Sequence, residues 1–235
     1  MLKIEDEVFF SDNDGKDWND ITSKIDGAIT GLQRHPYSKE RAVIGTSGLM
    51  QYLTQDRGVS WDALELPSQS AATNLQLNPW YFHPTQPEWM IFIGEAGCSY
   101  EHDASCHSIA YYSKDSGKNW RQLAEWVRSC SWARDPKFTQ VNEEGIYCEQ
   151  YADRSGSQRN AVDRPVRFIY TDDYMRSPRI LFDQIVGFAT YSNYLIAAEV
   201  FIGHAILLLD WTTLRIHERK EKWAKITKVV SFSLL

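Results

Sequence analysis

The chain has 235 residues, of which 43% are hydrophobic and 13% aromatic, and its formal net charge at pH 7 is −6. A chain of this length can bury a substantial hydrophobic core. The acidic balance argues against a nucleic-acid-binding protein, because such proteins present a basic face to the phosphate backbone.

Two segments bear on targeting and membranes. Residues 1–7 read M-L-K-I-E-D-E, and their acidic residues stand where a signal peptide has its apolar core. The most apolar stretch, residues 194–211, is interrupted by Glu199, His204 and Asp210. Since a membrane span needs ~20 mostly apolar residues, we expect buried strands in this stretch, and neither a signal peptide nor a membrane span in this sequence.

A short motif, here called the repeated turn, follows an apolar run at three places. Residues 11–18 (turn 1) read S-D-N-D-G-K-D-W, residues 54–61 (turn 2) read T-Q-D-R-G-V-S-W, and residues 113–120 (turn 3) read S-K-D-S-G-K-N-W. Recurrence of one motif at such intervals indicates a repeat architecture. The shared positions are Ser11, Asn13, Gly15 and Trp18 in turn 1; Thr54, Asp56, Gly58 and Trp61 in turn 2; and Ser113, Asp115, Gly117 and Trp120 in turn 3.

Each shared position of the repeated turn has a structural role in a β-hairpin. The Asp or Asn side chain and the hydroxyl can bond backbone amides of a tight turn, and glycine adopts a backbone angle that other residues resist. The tryptophan is a large apolar plate suited to packing. The motif therefore predicts the tip of a hairpin rather than a catalytic site.

The predicted strands come in groups of up to four. Residues 1–24 are predicted to hold the last two strands of a unit, and the other strands are expected as follows: 7–11 and 18–25; then 29–34, 41–45, 49–53 and 61–66; then 75–82 and 89–94 followed by the hairpin of turn 3. His35-Pro36 and His83-Pro84 occupy equivalent turns before the second strand of their units. This repetition favours a structural role for both histidines over metal ligation.

The remaining sequence is less regular. A fourth unit is predicted from strands at 130–133, 145–149 and 167–170, with a polar loop at 151–160, and a fifth begins with strands at 185–188, 194–200 and 205–209. Thr171-Asp172-Asp173 matches the start of the repeated turn, without its Gly and Trp. From residue 213 the pattern is lost, and the basic end is expected to be solvated rather than bound to acidic lipid.

Repeated four-stranded antiparallel sheets predict an all-β fold, a β-propeller in which each blade covers the next. We expect residues 1–212 to form about four blades with fragments at both ends, and residues 213–235 to form a divergent basic tail. Ragged ends fit an incomplete arc of a larger ring better than a closed ring of four.

The repeated turn resembles the Asp box of sialidase-like propellers, and the segments around the cysteines narrow the resemblance. Residues 97–98 (G-C), 106–113 (C-H-S-I-A-Y-Y-S), 127–135 (V-R-S-C-S-W-A-R-D) and 146–149 (I-Y-C-E) strongly resemble the sortilin family, in particular its fungal vacuolar sorting receptors. The resemblance covers about residues 8–200.

This resemblance implies an incomplete arc of the family's ten-bladed luminal propeller, without the cysteine-rich module, membrane span and sorting tail that follow it in the receptor. It implies binding of hydrolase precursors (carboxypeptidase Y type) or other protein or peptide ligands and their carriage from the late Golgi to the endosome. It implies no catalysis, cofactor or metal, no nucleic-acid partner, and a membrane tether only through parts absent from this chain. No ligand-contact residues carry over.

The four cysteines lie close together, which suggests disulfides and an oxidising compartment; without a signal peptide, this indicates part of a longer precursor. The resemblance implies the bridges Cys98–Cys106 and Cys130–Cys148. The alternative is a zinc site made of Cys98, His102, Cys106 and His107, but the adjacent Cys106 and His107 fit a tetrahedron poorly, so disulfides are favoured.

Two other functions remain open. A sialidase-like glycosidase would need an arginine cluster and a Tyr–Glu pair, and the nearest arginine motif is Arg164-Pro165-Val166-Arg167. The acidic pairs Glu143-Glu144 and Asp172-Asp173 are adjacent in loops, and nothing in the sequence places them across a glycosidic bond. The other alternative is a scaffold propeller without receptor function.

Overall fold

A computed structural model describes residues 2–4, 7–70, 79–98, 105–134, 141–152, 154, 166–191, 194–199, 206–210 and 215–218. Over these ranges the chain forms eighteen β-strands and one short 3-10 turn, Thr22–Lys24. No helix that could cross a membrane occurs among these residues. The predicted all-β class is therefore confirmed.

The strands form four antiparallel sheets in which neighbours in sequence are neighbours in space. Sheet 1 contains β1 (Leu2–Ile4), β2 (Glu7–Phe10) and β3 (Asn19–Asp20). Sheet 2 contains β4 (Ile29–Arg34), β5 (Ala42–Thr46), β6 (Met50–Thr54) and β7 (Asp62–Glu65). Sheet 3 contains β8 (Trp80–Phe82), β9 (Met90–Ala96), β10 (His107–Ser113) and β11 (Arg121–Glu125). Sheet 4 contains β12 (Val127–Trp132), β13 (Ile146–Tyr151), β14 (Val166–Thr171), β15 (Arg179–Tyr191), β16 (Tyr194–Glu199), β17 (Ile206–Asp210) and β18 (Arg215–Glu218).

The core lies between the sheets, in packed layers that we call seams. Seam 1–2 lies between sheets 1 and 2, seam 2–3 between sheets 2 and 3, and seam 3–4 between sheets 3 and 4. Consecutive residues of a strand enter different seams because side chains alternate between the two faces. Val43 packs in seam 2–3 and Ile44 in seam 1–2, while Phe92 packs in seam 2–3 and Ile91 in seam 3–4. The central strands are therefore apolar on both faces, and the sheets stack as blades of a β-propeller.

Sheet 1 differs from the expected pair of strands. It has a third strand, β1, and β3 is only two residues long. The predicted strand over 18–25 is wrong beyond Asp20, because the Asp20 Oδ1 accepts a hydrogen bond from the Thr22 N–H at 2.8 Å and a 3-10 turn follows. Ile21 and Ile25, on either side of that turn, still reach seam 1–2.

Sheet 4 also departs from the sequence prediction, since the fourth and fifth units are not separate. β15 pairs with β14 in its first half and with β16 in its second half, so that seven strands form one sheet. Residues 179–191, R-I-L-F-D-Q-I-V-G-F-A-T-Y, contain no proline to interrupt the ladder of hydrogen bonds, and Gly187 stays paired with Ala198 inside the strand. β18 lies past residue 212, where the tail was predicted to begin.

Some predicted features lie outside the described residues. These are the strand segment 75–78, residue 153 and residues 155–160 of the polar loop, Arg164 and Pro165 of the arginine motif, His102, and the end of the chain from residue 219.

Candidate functional site

Turn 3 shows how the repeated turn is held. The Ser113 Oγ donates to the Asp115 Oδ1 at 2.7 Å and accepts from the Gly117 N–H at 2.9 Å. The Asp115 Oδ1 also accepts from the Asn119 N–H at 2.9 Å. Turns 1 and 2 repeat this pattern through Ser11, Asn13 and Gly15 and through Thr54, Asp56 and Gly58.

A fourth turn, residues 171–178, closes in the same way. The Thr171 Oγ1 donates to the Asp173 Oδ1 at 2.9 Å and accepts from the Met175 N–H at 2.9 Å, and the Ser177 N–H donates to Asp173 at 3.1 Å. Met175, with φ 68°, adopts the positive φ that glycine supplies in turns 1 to 3, and Tyr174, with φ 57°, stands where Asp14, Arg57 and Ser116 have similar positive φ values. The sequence predicted only the start of turn 4, Thr171-Asp172-Asp173, because its glycine and tryptophan are replaced; Ser177 was the further signal available.

The carboxylates of these turns are hydrogen-bond acceptors rather than catalytic groups. Hydrogen bonds from Ser60 hold the pKa of Asp56 down, to about 2. Burial opposes ionisation of Asp115, but hydrogen bonds from Asn119 and Ser113 lower its pKa overall. The hydrogen bond from the Ser177 backbone lowers the pKa of Asp173. These side chains stay ionised at neutral pH and are unsuited to general acid chemistry.

The tryptophans of the turns lie in different surroundings. The Trp120 Nε1–H donates to the Glu65 carbonyl of sheet 2 at 3.2 Å. Trp61 packs against the apolar cluster of seam 1–2, which includes Val8. Trp18 is 44% exposed.

The structure contains two disulfide bonds, which join the pairs implied by the family resemblance. Cys98 and Cys106, with Cα atoms 4.3 Å apart, close the connection between β9 and β10. Cys130 and Cys148, with Cα atoms 4.1 Å apart, face each other on β12 and β13. Glu95 lies beside the first bridge, but sulfurs that are bonded to each other do not offer the thiolates that zinc binds.

The two histidines of the His-Pro turns are buried parts of the seams. The His83 Nδ1 accepts from the backbone N–H groups of Gln86 at 2.9 Å and Thr85 at 3.2 Å, so its Nε2 carries the proton that bonds the Glu143 carbonyl at 2.9 Å. The His35 Nδ1 accepts from the Tyr37 N–H at 3.1 Å. Burial lowers the pKa of both rings, to about 4 for His35, where Arg41 also contributes.

The described residues do not assemble a sialidase-like centre. Arg128 and Glu149 form a buried ion pair next to Tyr81, and the Ser129 Oγ donates to the same carboxylate at 2.7 Å. Burial, and then the charge of Glu149, raise the pKa of Tyr81 to about 12, which makes its hydroxyl a poor nucleophile at neutral pH. Arg167, from the predicted arginine motif, pairs with Asp183 at 2.8 Å instead.

The adjacent acidic residues are likewise engaged in separate contacts. Glu143 accepts from the Gln86 side chain at 2.8 Å, and Glu144 pairs with Lys114. Asp173 closes turn 4, and Asp172 lies 3.5 Å from the Tyr170 hydroxyl. The loops therefore hold these carboxylates in structural contacts.

A cleft of about 420 Å³ opens between the first strands of sheets 2 and 3. Val43, Trp80 and Phe92 contribute its apolar surface, and the Gln33 Nε2 donates to the Trp80 carbonyl at 3.1 Å across it. Leu32 lines the cleft as well, but its side chain packs against the cluster of seam 1–2. Among the described residues that line the cleft there is no charged side chain. Such a surface suits an apolar or uncharged ligand segment and supplies no acid or base.

Comparison with known proteins identifies relatives over most of the chain. The family profile described as "Sortilin-Vps10: Sortilin, neurotensin receptor 3" matches residues 6–220, which extends past the resemblance seen in the sequence. The "Vacuolar protein sorting/targeting protein 10" of Mycosarcoma maydis is 34% identical over 199 residues, and that of Laccaria bicolor 32% identical over 220 residues. These alignments cover 82% and 92% of this chain but only 13% and 14% of the two relatives.

The fold also matches solved structures. An oligogalacturonate lyase in complex with manganese superposes with a TM-score of 0.52 and 8% sequence identity, over 76% of this chain and 50% of that chain. At this identity the likeness concerns the fold alone and agrees with the β-propeller arrangement.

Proposed function

The chain belongs to the sortilin-Vps10 family, and from this premise we propose that it is the ligand-binding part of a vacuolar sorting receptor and has no catalytic role. The family match over residues 6–220 is the observation that carries this proposal. The engaged carboxylates of turns 2 to 4 and the uncharged cleft are consistent with binding rather than chemistry.

The proposed part of the receptor is an incomplete arc of a ten-bladed luminal ring. Residues 1–212 would form the arc, and residues 213–235 would be a divergent extension of it. The share of the two relatives that the chain covers, 13% and 14%, supports a portion of a larger assembly. The two disulfide bonds support an oxidising lumen, because such bonds are rare where thiols are kept reduced.

The ligands proposed for this arc are hydrolase precursors of the carboxypeptidase Y type, carried from the late Golgi to the endosome. We place the ligand contact at the cleft between β4 and β8. Trp80 would contact an apolar segment of the ligand, and the polar groups of the cleft would fix its orientation.

Binding of a purified carboxypeptidase Y precursor to the purified chain tests this function. Thr30→Asp should weaken binding by about tenfold or more, because Thr30 is exposed in the cleft and the variant would place an unpaired carboxylate against the ligand; tenfold corresponds to about 1.4 kcal/mol. Val59→Asp is the matched control, since Val59 is 67% exposed in turn 2 and outside the cleft; this variant should bind like the parent chain. Biolayer interferometry measures both dissociation constants.

Two results would contradict the proposal. One is the absence of precursor binding by a chain that melts cooperatively. The other is hydrolysis of a glycoside substrate that persists through purification, which would favour the glycosidase alternative. Equal weakening by Thr30→Asp and Val59→Asp would leave the function and remove the cleft as its site.

A further inference from the structure

Sheets 2 and 3 can be compared position by position, because their second strands, β5 and β9, begin at the same distance from the histidine of the His-Pro turn. Equivalent residues are therefore 48 apart, and Val43 and Ile91, for example, each pack in the seam that follows their own sheet. Two residues further along, Ile93 is buried in seam 3–4, whereas sheet 2 has Gly45 at the equivalent position. The isoleucine that fills seam 3–4 at this level has no counterpart in seam 2–3.

A second glycine lies directly opposite the first. Gly31 on β4 is the register partner of Gly45 on β5. Pro79 holds the place of Gly31 in sheet 3, where the Ile93 N–H donates to the Pro79 carbonyl at 2.9 Å. Both glycines line the cleft of about 420 Å³, and a Cβ built on Gly31 would meet no heavy atom within 4 Å apart from its own chain neighbours. The cleft therefore opens where sheet 2 lacks two side chains that sheet 3 possesses.

We propose that the gap beside Gly31 and Gly45, here called the glycine subsite, takes one bulky aliphatic side chain from an internal residue of a peptide segment. The size of the occupant follows from the repeat, since Ile93 fills the equivalent space in seam 3–4. Its apolar character follows from Trp80 and Phe92, which are buried and line the cleft from sheet 3. This inference rests on the proposed ligand contact at the cleft, and it adds the chemistry of the residue that is recognised there.

The polar groups of the cleft argue against a charged occupant. Thr30, Gln69 and Ser70 carry uncharged hydroxyl and amide groups, and none of the lining residues within the described part of the chain is charged. A carboxylate or an ammonium group placed there would lose its hydration without gaining a counter-ion. A free carboxyl terminus is in the same position, because its recognition requires a cation or converging backbone N–H groups. An internal residue is favoured, since hydroxyl and amide groups can bond the peptide groups on either side of it.

Capped tripeptides test the glycine subsite directly on the full chain. The probes are acetyl-Gly-Ile-Gly-amide, the same peptide with glycine in the centre, and the same peptide with glutamate in the centre. Titration of the ¹⁵N-labelled chain, followed by chemical shifts, gives the three dissociation constants. The isoleucine peptide should bind about tenfold or more tightly than the other two, because only its side chain removes aliphatic surface from water without burying a charge. Its shifts should centre on residues that line the cleft.

Filling the gap from within the chain should block the subsite. Gly31→Val should weaken binding of the isoleucine peptide by about tenfold or more, because the new side chain occupies the open space beside β4. Gly31→Ala adds a single methyl group and should give a smaller loss, which keeps the test usable if the valine variant unfolds. Gly48→Val is the matched control, since Gly48 lies in sheet 2 outside the cleft lining and its Cβ would have no neighbour closer than 3.9 Å; this variant should bind like the parent chain.

Three results would overturn the inference. These are equal constants for the isoleucine and glycine peptides, shifts confined to residues away from the cleft, and equal weakening by Gly31→Val and Gly48→Val. The tripeptides report on the subsite alone, so its failure is distinguishable from failure of the proposed function. Precursor binding without a preference for the isoleucine peptide would refute only the subsite, whereas that preference without precursor binding would refute only the proposed ligand.

Discussion

Seams 2–3 and 3–4 carry different side chains at the same position of the repeat. Arg41 and Trp89 each stand directly before the second strand of their sheets, six residues after the histidine of the His-Pro turn. The Arg41 Nη1 reaches across seam 2–3 to the Pro87 carbonyl and the Ser116 hydroxyl, both at 2.9 Å. The Trp89 ring instead packs on Trp132 of sheet 4, with the centroids 5.6 Å apart. At this position of the repeat, seam 2–3 is bridged by hydrogen bonds, whereas seam 3–4 is closed by packed aromatic rings.

The histidines show the consequence of this exchange. Pro87 and Glu143 both lie three residues before the second strand of their sheets. The Glu143 carbonyl accepts the bond from the His83 Nε2, whereas Arg41 bonds Pro87, and the buried His35 Nε2 finds no hydrogen-bond partner among the described residues. The same backbone arrangement therefore accommodates either the arginine of seam 2–3 or the tryptophan of seam 3–4. In seam 3–4 the aromatic rings also contact a cation, since the Lys114 Nζ lies 4.2 Å from the centre of the Trp89 ring and 4.8 Å from that of the Tyr174 ring.

The largest expected effect on stability comes from the buried ion pair beside Tyr81, which joins Arg128 and Glu149. Glu149→Leu should lower the free energy of unfolding by about 3–5 kcal/mol, because it leaves the Arg128 guanidinium buried without its carboxylate. Adding Arg128→Met to Glu149→Leu should recover most of that loss, since both charges are then removed. Urea unfolding followed by fluorescence measures these changes.

The exposed pair Arg167–Asp183 is the matched control for this experiment. Asp183 is 68% exposed in its side chain, so Asp183→Leu should change stability by less than about 1 kcal/mol. The ion pair nearest to seam 2–3 among the described residues joins Arg41 and Glu88 at 3.8 Å, with Glu88 61% exposed. A loss below 1 kcal/mol for Glu149→Leu would mean that both seams are held by the same forces.

Much of this architecture could be predicted from local sequence. The features that could not be predicted are those that depend on contacts with the neighbouring blade. The fold class could be predicted from the alternation of apolar residues and from the repeated turn, and the family from the segments around the cysteines. Turn 4 could not be predicted in full, because its backbone is held by Thr171 and Asp173 while its packing residues are exchanged. The cleft at Gln33 and Trp80 was also missed, because it arises from strands of two sheets whose contact no local pattern specifies.

The glycines of turns 3 and 1 allow a second comparison, between a turn that packs across seam 2–3 and a turn without a facing sheet among the described residues. Gly117→Ala should destabilise by about 2–4 kcal/mol, since alanine resists the φ of +81° and its Cβ would collide with Leu64. Gly15→Ala, at the same φ in turn 1 but without a facing sheet, should cost only about 1 kcal/mol. Thermal unfolding of the two variants isolates the contact across seam 2–3. Equal losses would show that the backbone angle alone decides the cost.

The smallest expected difference in stability is the one between replacing His83 and replacing His35. His83→Phe should cost about 1–3 kcal/mol, because it removes the bond to Glu143 and leaves the N–H groups of Thr85 and Gln86 without an acceptor. His35→Phe removes only the acceptor for Tyr37 and should cost about 1 kcal/mol or less. Chemical denaturation at pH 7 gives both values, and a larger loss for His35→Phe would reverse the order of the seams.

The two histidine variants should also change how the free energy of unfolding depends on pH. Because burial lowers the pKa of both histidines in the folded chain, the unfolded chain binds more protons between that pKa and the ordinary value of 6.5. Their contribution to stability is complete above pH 6.5 and is lost as the pH falls, down to about pH 4 for His35. Each histidine should therefore steepen the fall by up to about 1.4 kcal/mol per pH unit, and each phenylalanine variant should flatten the profile between pH 6.5 and 5. A profile unchanged by His83→Phe would mean that His83 is not held neutral in seam 3–4.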